Sequence, residues 1–277
     1  MILVTGATGN VGRHIVDNLC KGGHQVRVLT RNPAKVSFPA EVEVAIGDLT
    51  APETLKEALD GVQSVYLVRV PGSEAFPQIA KAFSVERIVF LSSSAVELPV
   101  GNAIGRNHLN TEELIRASGI KWTFLRPGAF MSNAFQWAGS IRTEGIVRAP
   151  FGDVATTPVD PRDIADVAAE VLSSYGHEGK IYTLTGPKLL TTIEQVKILS
   201  NILGKDIRFE HMAEEIAKET MKRFAPSEVV EALFQILREP PTAVLNTVQD
   251  ITGRRPRTFQ QWATDNAGAF QQSRELS

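Results

Sequence analysis

An α/β architecture, in which a doubly wound parallel sheet is followed by a smaller, mostly helical C-terminal lobe, is the fold class this sequence predicts. Three observations predict it. Short apolar runs alternate with helix-like segments over the first two-thirds of the 277 residues. The chain opens on an apolar run that breaks into glycines at a spacing of three and then into a helical pattern, MILVTGATGNVGRHIVDNL. From about Leu190 the pattern changes to mostly helix. Strands separated by helices need crossover connections, which are right-handed and build parallel sheets.

Ile2, Leu3 and Val4 suit a strand covered on both faces. Gly6, Gly9 and Gly12 then let the chain turn sharply ahead of a first helix. Further strands are expected at residues 25–30 (QVRVLT), 42–49, 64–70 (SVYLVRV), 87–92 (RIVFLS), 122–125 and 180–184. A helix is expected to start at residues 50–52, where Thr50 and Pro52 precede Glu53 and Glu57. A polar cap, an early proline and acids in the first turn all favour a helix N-terminus. Another helix covers residues 162–174, with Asp160 and Asp163 of VDPRDIAD at its start. Beyond Leu190 the helical segments are 193–203, 213–224, 227–238 and 258–270, with one short strand at 207–211. The chain therefore divides into residues 1–189 and a smaller helical lobe, 190–277, with parts of 132–154 joining that lobe.

Composition removes several classes of function. Hydrophobic residues make up 43% and the net charge is −2, so the chain has neither a disordered composition nor the basic footprint of a nucleic-acid binder. A single cysteine, Cys20, excludes an internal disulfide framework and a cysteine-based metal site, and its place on the apolar side of the first helix predicts packing. His14, His24, His177 and His211 show no metal-ligand spacing, so no metal is expected. No apolar run approaches ~18 residues, and no membrane association is expected. The expected location is cytoplasmic.

The opening turn is the strongest functional signal. A glycine-rich turn between a buried strand and a helix brings backbone N–H groups against a pyrophosphate, which sits on the positive end of the helix. Gly6, Thr8, Gly9, Asn10 and Val11 are thus candidate dinucleotide contacts in a Rossmann-like fold. Arg31 ends the second strand, where an acid would bind the ribose 2′-hydroxyl of NAD and an arginine accommodates the 2′-phosphate of NADP. NADP(H) is therefore expected over NAD(H), with Lys35 either a second point charge or a solvated lysine. Asp48, followed by Leu49, is placed to bond the adenine amine or to cap the next helix, and the two roles are compatible at the sheet edge. The ligand cleft belongs outside the carboxyl ends of the strands.

VTGATGNVG, LTRNPAK, GDL, FLSSSA and HLNTEELIRASGIKWTFLRPGAFMSN together resemble the NmrA-like, atypical short-chain dehydrogenase/reductase family. The resemblance covers the chain to about Asp166 and is strongest to NAD(P)H-dependent quinone and azo-type reductases. It implies that Pro127 and Phe130 lie along the nicotinamide ring, that Asn133 borders the substrate cleft, and that Ser92 and Ser93 sit on the nicotinamide side. One of these hydroxyls would bond substrate or ribose, or both are turn residues. Val68, Val70 and Pro71 would pass beneath the cofactor through backbone contacts. Phe130, Met131, Phe135 and Trp137 would form a flat apolar pocket for an aromatic acceptor, unless Phe135 and Trp137 belong to an ordinary core. Arg69 departs from the small or polar residue expected at its place, and either enters the cleft to bind an anionic substrate or folds back to solvent.

The wider superfamily uses Tyr-x-x-x-Lys, a tyrosine acid tuned by a lysine. This chain has only Tyr66, Tyr175 and Tyr182, and the residues four further on are Val70, Gly179 and Gly186. His108 stands at or beside the lysine position, with Glu112 one turn later and able to orient the ring. His108 then either lines the nicotinamide pocket and donates a proton, or packs as a surface histidine. Without the tyrosine, ordinary ketone reduction is disfavoured and a quinone-like or otherwise conjugated acceptor is favoured. Two alternatives stand beside this NADPH-dependent oxidoreductase: a non-catalytic redox sensor of the NmrA type, and a pathway-specific reductase or isomerase. Arg254, Arg255 and Arg257 read as a solvated basic loop.

Overall fold

The computed structural model describes residues 1–35, 37–98, 102–240 and 243–271. Its strands are β1 (Ile2–Val4), β2 (Val26–Thr30), β3 (Glu43–Ile46), β4 (Ser64–Val68), β5 (Arg87–Leu91), β6 (Lys121–Pro127), β7 (Ile146–Ala149), β8 (Ala155–Thr156), β9 (Lys180–Leu184), β10 (Leu190–Thr191) and β11 (Arg208–His211). The helices are α1 (Gly12–Lys21), α2 (Lys56–Leu59), α3 (Phe76–Ala82), α4 (Ala103–Ser118), α5 (Ala138–Thr143), α6 (Pro161–Ser173), α7 (Thr192–Leu203), α8 (Glu214–Met221), α9 (Ser227–Arg238), α10 (Thr247–Thr252) and α11 (Phe259–Asp265).

Seven strands form one sheet in the order β3-β2-β1-β4-β5-β6-β9, and every pairing in it is parallel. Successive residues of a strand face opposite sides, so a sheet covered by helices on both faces needs unbroken apolar strands. Val4 and Tyr66 pack on one side with Ile15 and Leu19 of α1 and Ile164 and Val171 of α6. Leu3, Leu67 and Phe90 pack on the other with Leu59, Phe76 and Ile115 from α2, α3 and α4. The chain order reverses direction between β1 and β4, and the crevice at their carboxyl ends is the topological switch point.

Caps fix the helices that frame this crevice. Asn102 Oδ1 accepts the Gly105 N–H at the start of α4 (3.0 Å), and Gly119 ends that helix at φ 71°. Asp160 caps α6 ahead of Pro161 by accepting the Arg162 N–H at 2.8 Å. Thr191 and Glu194 form a capping box on α7. Cys20 is half-buried against the first core layer, and burial raises its thiol pKa.

Several elements are shorter than the sequence pattern suggests. The third strand stops at Ile46 because Gly47 closes on Thr30 and Asp48 starts a turn. The fourth stops at Val68 because the Val70 carbonyl accepts the Ser73 N–H. After the third strand there is a single 3-10 turn, Pro52–Thr54, followed by the four residues of α2. The expected helix at 213–224 ends at Met221, and 258–270 is α11 followed by a separate 3-10 turn.

A third apolar cluster joins Met131, Trp137, Ile141 and Val147 to Val196, Leu199, Phe259, Trp262 and Phe270. The parallel pair β7–β11 and the antiparallel pair β8–β10 stitch the same parts of the chain together. α10 instead returns to the large sheet, packing on α6 and β9 with Val248 in the first core layer. Among the described residues no helix is long and apolar enough to cross a membrane.

Candidate active site

The glycine turn is built by close backbone approach. Gly6 has φ 61° and lies against Val68, and the Gly9 N–H bonds the Gly6 carbonyl at 2.9 Å. A Cβ on Gly12 would stand 2.2 Å from the Gly6 carbonyl oxygen, a collision no rotamer can relieve. Val11 begins α1 without a side-chain cap, and the N–H groups of Asn10, Val11 and Gly12 have no hydrogen-bond partner among the described residues. Unpaired donors at a helix N-terminus are what an anionic pyrophosphate requires, so these residues fit a dinucleotide. Thr5 locks the turn to the sheet: its hydroxyl donates to the Tyr66 carbonyl (2.9 Å) and accepts the Val68 N–H (3.0 Å). Asn10 Nδ2 donates to Ser132 Oγ at 3.3 Å, tying the turn to the segment after β6.

A groove runs from this turn across the ends of β1 to β4, bordered by Thr8, Arg31, Asp48, Leu49, Val68 and Val70. Thr5, Ala7, Leu29, Thr30, Asn32 and Gly47 also line it and were not among the sequence candidates. Their only signal was position, since each lies at or just beyond a strand's carboxyl end. The Arg31 side chain is 80% exposed, with Nη1 3.9 Å from Asp48 Oδ2. Asp48 Oδ1 accepts both the Thr50 N–H (2.9 Å) and the Thr50 hydroxyl (2.8 Å), and these bonds hold its carboxyl below the usual range. Of its two expected roles, Asp48 performs the capping one, for a turn. The Lys35 side chain lies outside the described residues.

At the other end the structure corrects four expectations. Glu112 does not hold His108. It is fully buried, accepting the Ser92 hydroxyl (2.7 Å) and an Arg126 pair through Nε (2.9 Å) and Nη2 (2.7 Å), with Arg116 at 3.2 Å. A buried carboxylate keeps its charge only where such partners converge, and the arginine of β6 outcompetes a neutral ring. Ser92 is consequently spent within the protein: its hydroxyl goes to Glu112 and its N–H to the Leu125 carbonyl. Trp137 is 9% exposed in the core of the small lobe, and Phe135 stacks there on Phe270 and packs tilted against Trp262. Both follow the ordinary-core alternative. Of the basic loop, Arg254 and Arg255 are exposed as expected, although Arg254 reaches Asp166, whereas Arg257 is not solvated but half-buried against Asp163 and Asp166.

His108 Nδ1 lies 2.8 Å from the Ile104 carbonyl. A carbonyl only accepts, so Nδ1 carries the proton and Nε2 is left as an acceptor when the ring is neutral. Burial, the largest cause, and the charge of Arg69 lower its pKa below the usual imidazole value, with the Ile104 carbonyl and Glu112 opposing. Ser93, half-buried, uses its hydroxyl to accept the Ala95 N–H at 3.2 Å in a 3-10 turn. Pro127 is buried at the end of β6, while Phe130 is half-buried and bridges to Val159 just before α6. Asn133 is exposed beside it. Tyr66 is buried in the sheet, Tyr175 is 84% exposed, and Tyr182 bonds His177 at 2.8 Å, so no tyrosine takes the acid's place. Among the described residues no group of three or more His, Cys, Asp or Glu is placed to hold a metal ion.

The seam between sheet and small lobe is ionic. Asp163 accepts the Arg257 backbone N–H at 2.7 Å as well as its guanidinium, and Asn18 of α1 donates to Asp166 at 2.8 Å. Burial pushes the Asp163 carboxyl up to about 6 against the pull of Arg257.

A parallel sheet with this switch point and a glycine turn presenting free amides defines a dinucleotide-binding protein of Rossmann type. The NAD(P)H-binding family model matches residues 6–174, and the chain belongs to that family, as an NmrA-like member of the extended short-chain dehydrogenase/reductase type. It is 41% identical, over 98% of its length and 99% of the relative's, to the (4-alkanoyl-5-oxo-2,5-dihydrofuran-3-yl)methyl phosphate reductase of Streptomyces griseus. The NAD(P)H azoreductase of Xenophilus azovorans is 34% identical over the same shares. The NADPH-dependent quinone oxidoreductase of Escherichia coli, solved with NADPH, superposes with a TM-score of 0.82 at 25% identity, covering 96% of this chain and 99% of that one.

Proposed function

We propose that this protein is an NADPH-dependent oxidoreductase that passes hydride to a conjugated small-molecule acceptor: a quinone, an azo compound or an unsaturated lactone. The observation that carries the reading is the combination of an intact dinucleotide cradle with an acceptor end that has no tyrosine–lysine acid. An isolated ketone needs a donor aimed at the developing alkoxide. A conjugated acceptor spreads the incoming electron pair over its own π system, so proximity and orientation suffice. The names of the two relatives, a furanone phosphate reductase and an azoreductase, both describe conjugated acceptors.

Bound nicotinamide supplies the hydride. Gly6, Thr8, Gly9, Asn10 and Val11 hold the pyrophosphate. Arg31 meets the 2′-phosphate and favours NADPH over NADH, Asp48 and Leu49 close the adenosine end, and Val68 and Val70 support the underside. Pro127 and Phe130 position the nicotinamide ring, and Phe130 and Asn133 border the acceptor. Ser93 is the hydroxyl available at the end of β5, since Ser92 is committed to Glu112. His108 in its neutral form shapes the pocket from α4 without acting as the acid, and solvent provides the proton that completes the reduction.

The test is to mix purified protein with NADPH and a panel of quinones, azo compounds and unsaturated lactones while following NADPH absorbance. Consumption above background with at least one class is expected. Tight NADPH binding with no consumption by any class would replace this reading with nucleotide sensing.

A further inference from the structure

Arg69 is an unusual residue in its surroundings. It follows the last residue of β4, between Val68 and Val70, which line the groove. The backbone is pinned on both sides, by the Val68 N–H on Thr5 Oγ1 and by the Val70 carbonyl, which accepts the Ser73 hydroxyl at 2.6 Å. Arg69 is half-buried, yet its guanidinium has no hydrogen-bond or ion-pair partner among the described residues. The carboxylates in this part of the fold are already engaged. Glu112 serves Ser92, Arg116 and Arg126; Glu97 serves Arg126 and Thr183; Glu228 serves Arg106; and Glu74 accepts the Gly72 N–H. Partial burial of an unpaired cation is costly, and a ligand that brings the counter-charge removes the cost.

In the reading above, the dinucleotide's own phosphates have other partners. Those are met by the α1 amides and, at the far end of the groove, by Arg31. The charge of Arg69 is instead felt at His108 of α4, whose ring lies 6.2 Å from Phe90 on the opposite layer of the sheet.

We infer that Arg69 is an anion anchor of the acceptor site and that the preferred acceptor carries an oxyanion substituent, a phosphate ester or a carboxylate. Arg69 is a specificity-determining residue whose forked donors match either group. The inference rests on the conjugated-acceptor reading, but the two can fail separately.

The experiment compares NADPH-dependent reduction of one unsaturated lactone bearing a hydroxymethyl, phosphomethyl or carboxyl substituent by wild type, Arg69→Gln and Arg69→Lys. Wild type is expected to prefer a charged acceptor, and the better of the two identifies the oxyanion. In Arg69→Gln, kcat/KM for that acceptor should fall about 10- to 100-fold more than for the neutral one, mainly through KM, with partial recovery in Arg69→Lys. Equal losses on charged and neutral acceptors, or a loss confined to NADPH affinity, would overturn the inference. A second readout needs no turnover: calorimetric binding of the saturated phosphate and carboxylate lactones to the NADP+ complex. If wild type binds one of them and Arg69→Gln does not, the anchor stands even where no acceptor is reduced. If the neutral acceptor is reduced and neither anion binds through Arg69, the anchor alone falls.

Discussion

The two ends of the cleft are built from different materials. At the nucleotide end, backbone does the work: three glycines and a helix start leave amides unpaired in the turn from which the groove runs. At the acceptor end, side chains do it, and most of them are spent on one another, as in the Ser92–Glu112–Arg126 network that joins β5, α4 and β6. The contrast teaches that a backbone cradle binds a generic cofactor, whereas a side-chain end must be stabilised internally before it can discriminate among acceptors.

Glu112→Ala should break the comparison most severely. Removing one partner of a buried ion pair leaves Arg126 with only its longer contact to Glu97, at a cost of about 3–5 kcal/mol in chemical denaturation. If the acceptor end were as independent of side chains as the nucleotide end, the midpoint would barely move. Gly12→Ala attacks the other end. Its new Cβ must displace backbone at Gly6 and Ala7, so about 1–3 kcal/mol of stability should be lost together with NADPH binding, as seen by titration of cofactor fluorescence. Retention of wild-type affinity would mean that the turn is looser than described.

Arg31→Ala sharpens the comparison, because Arg31 is the side chain proposed to meet the 2′-phosphate at the nucleotide end. NADPH affinity should weaken by about 1–3 kcal/mol relative to NADH. Parallel losses for the two cofactors would remove the 2′-phosphate role. At the seam the effect is a dependence on pH. Asp163 titrates at about 6 in the fold, above its ordinary 3.8. Its contribution to stability is therefore greatest below the unfolded value and is lost as pH rises through 6, with a slope of at most about 1.4 kcal/mol per pH unit. Asp163→Asn should flatten that slope, which unfolding midpoints at a series of pH values between 4 and 7 would record. An unchanged slope would assign the pH dependence elsewhere.

Legibility in the sequence followed the same division. The strands of the large sheet were readable because burial on both faces forces unbroken apolar runs, as in residues 64–68 and 87–91. The nucleotide turn was readable because only glycine permits the approach of Gly12 to Gly6. The pairs β7–β11 and β8–β10 were not foreseen, beyond a strand at 207–211, since runs of two to four residues carry too little periodicity. Glu112 was assigned to the wrong partner for a related reason. Helical spacing placed His108 within its reach, but Arg126 arrives from a strand fourteen residues away and wins by charge.

The sequence by itself determined the layered α/β sheet and its dinucleotide turn, because both follow from local chemistry: apolar runs and glycine spacing. Only the tertiary structure decided which polar groups remain available for an acceptor. It consigned Trp137 to a core, spent Ser92 on Glu112 and Glu112 on Arg126, and left Arg69 unpaired among the described residues. Availability depends on every neighbour that a side chain meets in space, and those neighbours come from elements far apart in the chain.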